Sequence, residues 1–226
     1  MKTSLDQLAL VHGTDKASNA HAYTPIYEKY FSHLRDEPIL LVEYGVGGYD
    51  ARGVPCSTAG GASLRMWADW LPKATIVGVD NCPKQLDFGG RDIHLYLGDQ
   101  TDYHIADVIA DRHGGFDIVI DDASHLSRQT IDTFRSAWRH LKPGGFYVLE
   151  DTANSYYTWA GPLHSSNDPD RPLHNGDPTM MQFMRRMADD VNWRDYVYPV
   201  QFWRGYKLEF AHFWHELVIL RKAPDA

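Results

Sequence analysis

Short apolar runs alternate with helix-length segments through the first two thirds of the chain. Several runs are apolar at consecutive positions, as expected for strands buried on both faces of a parallel sheet. Five runs of strand length are bounded by Gly, Pro or Asp: Ile39 to Tyr44, Thr75 to Asp80, His94 to Gly98, Phe116 to Asp121 and Phe146 to Glu150. Three intervening segments have the spacing of helices that pack on a sheet: Ser63 to Leu71, Ile105 to Arg112 and Arg128 to Leu141. The pattern predicts an α/β fold.

The C-terminal region has a different pattern. Lys207 to Phe210 and Glu216 to Arg221 are predicted strands, joined by a turn over Ala211 to His215. They predict an antiparallel hairpin, which makes seven strands in a mostly parallel sheet. Lys142 to Gly145 contains Pro and Gly, so it is expected to separate the third helix from the fifth strand.

Two segments interrupt the alternation of strands and helices. Asp50 to Gly61 is a Gly, Pro and Ser-rich loop, and Asn154 to Pro178 is long, polar and contains four prolines. Loops of that length are usually functional lids or disordered segments. The length of 226 residues predicts a single domain, 1–226, with a helical cap over 1–36 and a lid over 154–178.

Composition excludes some classes of function. The formal net charge is −8 and no run of Lys or Arg occurs, which argues against nucleic acid as a partner. No apolar signal core or membrane-length apolar run is present, so we expect a soluble cytoplasmic protein without a membrane partner. Cys56 and Cys82 are too few for a disulfide framework, and we expect two reduced thiols.

A glycine-rich turn follows the first predicted strand. It reads Glu43-Tyr44-Gly45-Val46-Gly47-Gly48, where glycines let the backbone turn sharply and approach a ligand. The next two strands end in Asp80 and in Asp99-Gln100, which suit a ribose and an adenine amine. Glycine turns also arise from structural need alone, and both aspartates have the alternative role of helix caps.

The spacing of the glycines indicates which nucleoside ligand is bound. A dinucleotide site needs Gly-x-Gly-x-x-Gly to open a helix directly, and here a long insertion follows instead. The glycines Gly45, Gly47 and Gly48 instead resemble the arrangement in methyltransferases, whose ligand S-adenosylmethionine has a zwitterionic methionine tail and no phosphate. Glu43 is a candidate to hold the cationic end of that tail.

Acidic residues also end the fourth and fifth strands. Asp122, Glu150 and Asp151 can converge at one edge of the sheet, and three oxygen ligands fit Mg²⁺ better than zinc. His125 lies three residues after Asp122, where a neutral imidazole could accept a proton from a substrate hydroxyl. The alternatives are helix capping or solvent exposure for the acids, and an ordinary surface or core position for the histidine.

With these residues, the chain resembles the metal-dependent sugar O-methyltransferases of antibiotic biosynthesis, such as the mycinamicin, demethylmacrocin and rhamnosyl O-methyltransferases. The resemblance rests on motifs along nearly the whole chain: His12 to Lys16, Tyr23 to Glu28, Glu43 to Tyr49, Ser63 to Trp67, Asp121 to His125 and Glu150-Asp151. It implies a Rossmann-like class I methyltransferase fold with S-adenosylmethionine and Mg²⁺ as cofactors. It also implies a small-molecule glycosylated acceptor and a homo-oligomer, either a dimer or a tetramer.

The resemblance implies a role for individual residues. Asp122, Glu150 and Asp151 would bind Mg²⁺, with His125 as the general base. Contacts to the cofactor would come from the motif positions Thr14, Glu43, Gly45, Gly47, Ser63, Asp80, Asp99 and Gln100.

Three other functions remain open at this level. A Mg²⁺-dependent methyltransferase acting on a catechol or another phenol would depend less on His125, because phenols are already acidic. A nicotinamide-dependent oxidoreductase would leave the acidic strand ends unexplained, and a non-catalytic module that kept the fold is a third reading. The acceptor is expected under residues 154–178, where Tyr156, Tyr157 and Trp159 offer flat apolar faces or simply pin the loop.

Overall fold

The computed structural model describes residues 3–48, 58–157, 165–166, 168–195 and 205–225. The chain divides into two compact units, Met1–Asp99 and Gln100–Ala226. The single domain expected from the length stays a prediction. No helix in the described part of the chain is long and apolar enough to cross a membrane.

The first unit contains three parallel strands in the spatial order β3-β2-β1. Glu43 pairs with Gly78 and Asp80 pairs with Leu97, so the carboxyl ends of neighbouring strands lie at one edge. The elements in chain order are α1 (Leu5–His12), α2 (Thr24–Phe31), β1 (Leu40–Tyr44), α3 (Ala62–Trp70), β2 (Thr75–Asp80) and β3 (Ile93–Leu97).

The helices of the first unit follow from local sequence signals. Ser4 and Gln7 form a capping box at the start of α1, and Gly13 ends that helix in the left-handed conformation. Buried rings then pack α2 against α3, since Tyr27 and Phe31 both contact Trp67 edge-on. The helices α1 and α2 lie within 1–36, the segment where a helical cap is predicted.

The second unit contains four strands in the order β4-β5-β7-β6. β4 and β5 are parallel, whereas β7 is antiparallel to both of its neighbours. The elements are α4 (Tyr103–His113), β4 (Phe116–Asp121), α5 (Ser127–His140), β5 (Leu141–Leu149), α6 (Met180–Arg185), α7 (Met187–Asp190), β6 (Leu208–Trp214) and β7 (Leu217–Lys222). Single turns of 3₁₀ helix lie at Ser32–Leu34, Thr152–Ser155 and Trp193–Asp195.

The predicted fold class is confirmed: the described residues form seven strands, with parallel pairs first and an antiparallel hairpin at the C-terminal end. Two predicted connections are wrong. Lys142 to Gly145 does not separate helix from strand, because β5 begins at Leu141 and Gly144 continues the chain with a φ of 79°. The hairpin turn is not Ala211 to His215, because β6 extends to Trp214 and pairs there with Leu217.

Candidate functional site

The glycine turn after β1 needs glycine for two reasons. Gly45, Gly47 and Gly48 all have positive φ, which costs other residues conformational energy. A Cβ on Gly48 would lie 2.2 Å from the Ala59 carbonyl oxygen, so the backbone could not pass so closely. A Cβ on Gly47 would meet no described atom within 4 Å. The turn is therefore tightly folded at Gly48 and open beside Gly47, where a ligand has room.

Asp80, at the end of β2, organises this turn. Its carboxylate accepts hydrogen bonds from the backbone N–H of Val46 at 2.9 Å and of Cys82 at 2.8 Å. The ammonium of Lys84 lies 3.4 Å from the same carboxylate and donates to the Gly47 carbonyl at 2.6 Å. A carboxylate offers roughly four acceptor positions. Asp80 thus binds the loop internally, and its contacts with the described residues leave one acceptor position for a further donor, such as a ribose hydroxyl.

Glu43 is almost fully buried, and so is its ion-pair partner, the ammonium of Lys16, at 3.6 Å. Lys16 was not identified from the sequence as the charge partner of Glu43, although it is the last residue of the motif His12 to Lys16. Thr14 is also buried, and its hydroxyl oxygen lies 3.5 Å from the Lys16 backbone nitrogen. The structure therefore brings Thr14 and Glu43 together through Lys16. Ser63 is buried in the first turn of α3.

The redox state of Cys82 differs from the one predicted. This residue is disulfide-bonded and not a reduced thiol, as the sequence led us to expect. The expectation came from counting cysteines, which gives no information on which thiols the fold brings close in space. Cys56 lies outside the described residues.

Asp99 and Gln100 occupy the turn after β3. Asp99 is exposed. The Gln100 amide nitrogen donates to the Thr133 hydroxyl at 2.8 Å, and its amide oxygen accepts from the Ser124 backbone at 3.0 Å. Gln100 therefore ties the loop after β4 to α5, and its contact with adenine stays a prediction.

The ends of β4 and β5 bring Asp122, His125 and Asp151 together. Each of the three offers a ligand atom, and these atoms lie within 4.8 Å of one another. His125 Nε2 is 3.4 Å from Asp151 Oδ2 and 4.0 Å from Asp122 Oδ1. Each side chain is 21–22% exposed, so the cluster is open to a ligand. His125 and Asp151 both have positive φ, at 55° and 53°.

Glu150 directly follows β5. It is buried, and its backbone N–H donates to the Asp121 carbonyl at 3.1 Å. Among the described residues, the three-residue group near Asp122 contains His125 in place of Glu150. The role of Glu150 as a metal ligand stays a prediction.

Asp121, directly before Asp122, was not singled out by its sequence pattern. Burial raises the pKa of its carboxyl from 3.8 to about 7, against the hydrogen bond from the Tyr147 hydroxyl, which lowers it. That bond is 2.8 Å long and joins β4 to β5 beneath the cluster. The pair fixes the relative position of the two strand ends from which Asp122 and Asp151 project.

The chemistry of the cluster follows from its donors. Two carboxylates within reach of one imidazole can hold a hard divalent cation through oxygen. The imidazole can accept a proton while Asp151 orients its ring. Because carboxylates repel one another at this distance, a cation bound between them would lower the energy of the arrangement.

Comparison with known proteins identifies relatives over nearly the full chain, although no family model matches. The 8-demethyl-8-(2-methoxy-alpha-L-rhamnosyl)-tetracenomycin-C 3'-O-methyltransferase of Streptomyces olivaceus is 33% identical over 98% of this chain and 54% of its own length. The 8-demethyl-8-alpha-L-rhamnosyl tetracenomycin-C 2'-O-methyltransferase of the same organism is 38% identical over 84% of this chain and 46% of its own. The chain thus spans about half the length of the curated relatives it matches.

A solved structure gives the same result. The MycE methyltransferase from the mycinamycin biosynthetic pathway, in complex with Mg and SAH, superposes on the whole chain with a TM-score of 0.83 and 30% identity. The match covers 55% of the MycE chain. A further MycE complex, which also contains mycinamycin VI, has a TM-score of 0.81.

These matches concern both sequence and three-dimensional structure. The Rossmann-like methyltransferase fold expected from the motifs is confirmed by the superposition on MycE. In sequence and in fold, the chain is therefore similar over nearly all of its length to the sugar O-methyltransferases of antibiotic biosynthesis, as its motifs predicted.

Proposed function

We propose that this protein transfers the methyl group of S-adenosylmethionine to a sugar hydroxyl of a glycosylated natural product, in a reaction that depends on Mg²⁺. The observation that carries the proposal is the cluster of Asp122, His125 and Asp151 at the ends of β4 and β5. Such a cluster suits proton removal from a hydroxyl beside a cation, and the chain resembles enzymes named for methylating rhamnosyl groups.

Most of the residues that would bind the cofactor belong to the first unit. S-adenosylmethionine supplies a methyl group on a positively charged sulfur. The open backbone beside Gly47 gives room for the ligand, and Asp80 retains capacity to accept a ribose hydroxyl. The other residues proposed to contact the cofactor are Thr14, Glu43, Gly45, Ser63, Asp99 and Gln100.

The second unit would hold the metal and the base. Mg²⁺ supplies a positive charge that makes a bound hydroxyl easier to deprotonate. Asp122 and Asp151 would bind it, and Glu150 completes the proposed ligand set. His125 would accept the hydroxyl proton at Nε2, while Asp151, 3.4 Å away, stabilises the imidazolium that forms.

The partners and location belong to the same proposal. We propose a small glycoside as the acceptor, and the MycE methyltransferase has been solved in complex with mycinamycin VI. We expect a homodimer or homotetramer and no nucleic-acid or membrane partner. We propose the cytoplasm as the location.

Calorimetric titration tests the cofactor directly. Metal-stripped protein is titrated with S-adenosylhomocysteine and, separately, with NAD, and both titrations are repeated after Mg²⁺ is restored. We expect S-adenosylhomocysteine to bind and NAD to give no signal. Binding of NAD alone would contradict the methyltransferase proposal and favour an oxidoreductase.

Transfer assays then test the acceptor class. We expect Mg²⁺-dependent methylation of 8-demethyl-8-alpha-L-rhamnosyl tetracenomycin-C and no methylation of a simple catechol. Transfer to the catechol alone would assign the protein to the phenolic class of acceptors.

A further inference from the structure

The C-terminal hairpin extends to the same edge of the second unit as the acidic cluster. β7 is antiparallel to both β5 and β6, so β5 and β6 run in the same direction. The register joins Asp121 to Leu149, Leu149 to Val218, and Val218 to Phe213. Phe213 is therefore in the same row as the end of β4, two strand spacings from Leu149, which is roughly 10 Å.

The tip of this hairpin is attached to the segment that contains Asp151. The backbone N–H of Thr152 donates to the Glu216 carbonyl at 3.2 Å. The side chains of Asp151 and Glu216 also place ligand atoms within 4.8 Å of each other. The hairpin tip is thus held beside the candidate active site by the residues next to it.

Large apolar side chains are exposed at this location. Phe213 is 43% exposed and Trp214 40%, although their strand partners Val218 and Leu217 are fully buried. Tyr157, which follows the 3₁₀ turn at Thr152–Ser155, is 49% exposed. Three aromatic rings therefore lie on the two segments that meet at the bond between Thr152 and Glu216. Exposed aromatic rings gathered at one place are characteristic of binding surfaces.

We propose that the exposed aromatic tip of the hairpin, through Phe213 or Trp214, binds the aglycone of the acceptor, which is the part beyond the methylated sugar. This inference rests on the proposed function. The sugar must lie at the cluster of Asp122, His125 and Asp151 to be deprotonated, and a separation of roughly 10 Å is too long for that same ring to reach the hairpin. An apolar or aromatic ring system linked to the sugar does reach it. Flat apolar faces also match such a ring system better than they match the hydroxyls of a second sugar.

Neighbouring residues in a strand point to opposite faces. Phe213 shares its face with Val218 and Leu149, and Trp214 shares its face with Leu217. The two rings consequently flank the hairpin from both sides, and a single flat ring system stacks on one of them. We therefore expect one of the two substitutions to have the larger effect, which makes each variant a control for the other.

The test compares two acceptors that differ only beyond the sugar. 8-demethyl-8-alpha-L-rhamnosyl tetracenomycin-C and methyl α-L-rhamnoside are assayed with saturating S-adenosylmethionine and Mg²⁺, and the ratio of their kcat/KM values gives the preference for the aglycone. We expect Trp214→Ala or Phe213→Ala to lower this ratio about tenfold through a higher KM for the larger glycoside, with the rate on methyl rhamnoside unchanged. Trp214→Phe, which keeps an aromatic face, should retain most of the preference.

Controls separate this inference from the proposed function. Val108→Ala removes an exposed apolar side chain from α4 and should leave the ratio unchanged. Affinity for S-adenosylhomocysteine, measured by calorimetry, should be the same in all variants and shows that each is folded. An unchanged ratio in both hairpin variants would overturn the inference while the methyltransferase remains active. Equal kcat/KM of the wild-type protein for the two acceptors would overturn it as well. Failure of the wild-type protein to bind S-adenosylhomocysteine would instead overturn the proposed function.

Discussion

The strand ends of the two units use acidic residues in different ways. In the first unit, Asp80 accepts backbone hydrogen bonds from Val46 and Cys82, and Glu43 is buried against Lys16. In the second unit, Asp122 and Asp151 are partly exposed and converge on one imidazole. The first arrangement is stabilised by groups of the chain itself, whereas the second concentrates negative charge around an accessible space.

This difference indicates what each acid does. A carboxylate with backbone donors fixes the shape of a loop, so Asp80 is a structural residue of the glycine turn as well as a candidate ribose ligand. Positive φ at a residue other than glycine costs of order 1–3 kcal/mol, and such residues concentrate at functional sites. His125 and Asp151 both have this conformation. Ligand-binding sites typically combine strained backbone with charged side chains that lie close together.

The largest expected effect concerns the base in the second unit. His125→Ala should lower kcat by about 10²–10⁴-fold, because the group that accepts the hydroxyl proton is lost. Affinity for S-adenosylhomocysteine should be unchanged, since His125 is not among the residues proposed to contact the cofactor. Steady-state kinetics with a rhamnosyl acceptor and calorimetry measure the two quantities.

His140 provides the control for this substitution. It also pairs with an aspartate, Asp107, at 2.7 Å, but on α5 away from the strand ends. His140→Ala should leave kcat within about twofold of the wild-type value, as surface substitutions usually do. If His125→Ala also leaves kcat within about twofold of the wild-type value, His125 is not the base, and the acidic cluster of the second unit has no catalytic role through this residue.

The next largest effect concerns the buried ion pair of the first unit, Lys16 and Glu43. Lys16→Met should lower the free energy of unfolding by about 3–5 kcal/mol, because it leaves the Glu43 charge buried and uncompensated. Lys16→Met combined with Glu43→Gln should recover most of that loss, since no buried charge then remains. Urea denaturation of the single and double variants measures the difference. A double variant no more stable than Lys16→Met would show that the pair does not act as a unit.

Sequence reasoning succeeded where the signal is local. The bounds Thr75–Asp80 and Phe116–Asp121 agree with the prediction, because an apolar run meets a polar residue at each end. The predicted position of the hairpin turn was wrong, because Phe213 and Trp214 still pair with β7 although their side chains are exposed. The predicted start of β5 was wrong. Pro and Gly in the sequence predict a break before the strand, whereas the strand continues through Gly144 with a φ of 79°.

The acidic cluster was partly accessible to sequence reasoning for a topological reason. Parallel neighbouring strands place their carboxyl ends at one edge, which brought Asp122 and Asp151 together in the prediction. Lys84 and Tyr147 were not found, since they contact Gly47 and Asp121 across 37 and 26 residues of sequence. Such pairings depend on the exact placement of side chains from different elements, and no local pattern specifies it.

The smallest of the three effects concerns Asp121, an acid of the second unit that is buried, as Glu43 is in the first. Burial raises its pKa to about 7 from 3.8, so between these values the folded protein keeps a proton that the unfolded chain has released. Stability from this residue is therefore present at low pH and is lost as pH rises through 7, by at most about 4 kcal/mol. Asp121→Asn cannot ionise and should not show this loss.

Urea denaturation at pH 5 and pH 8, in the presence of a chelator, measures the change for both proteins. We expect the wild-type protein to lose more stability over this interval than Asp121→Asn. Asp107 supplies a control, because the hydrogen bond from His140 lowers the pKa of its carboxyl from 3.8, so this acid is ionised in both states between pH 5 and pH 8 and contributes no change in stability. Equal pH dependence in the wild-type protein and Asp121→Asn would show that Asp121 is ionised in the folded state. The carboxylate would then add a third negative charge beneath Asp122 and Asp151, and the need of the cluster for a cation would be greater than its two exposed acids indicate.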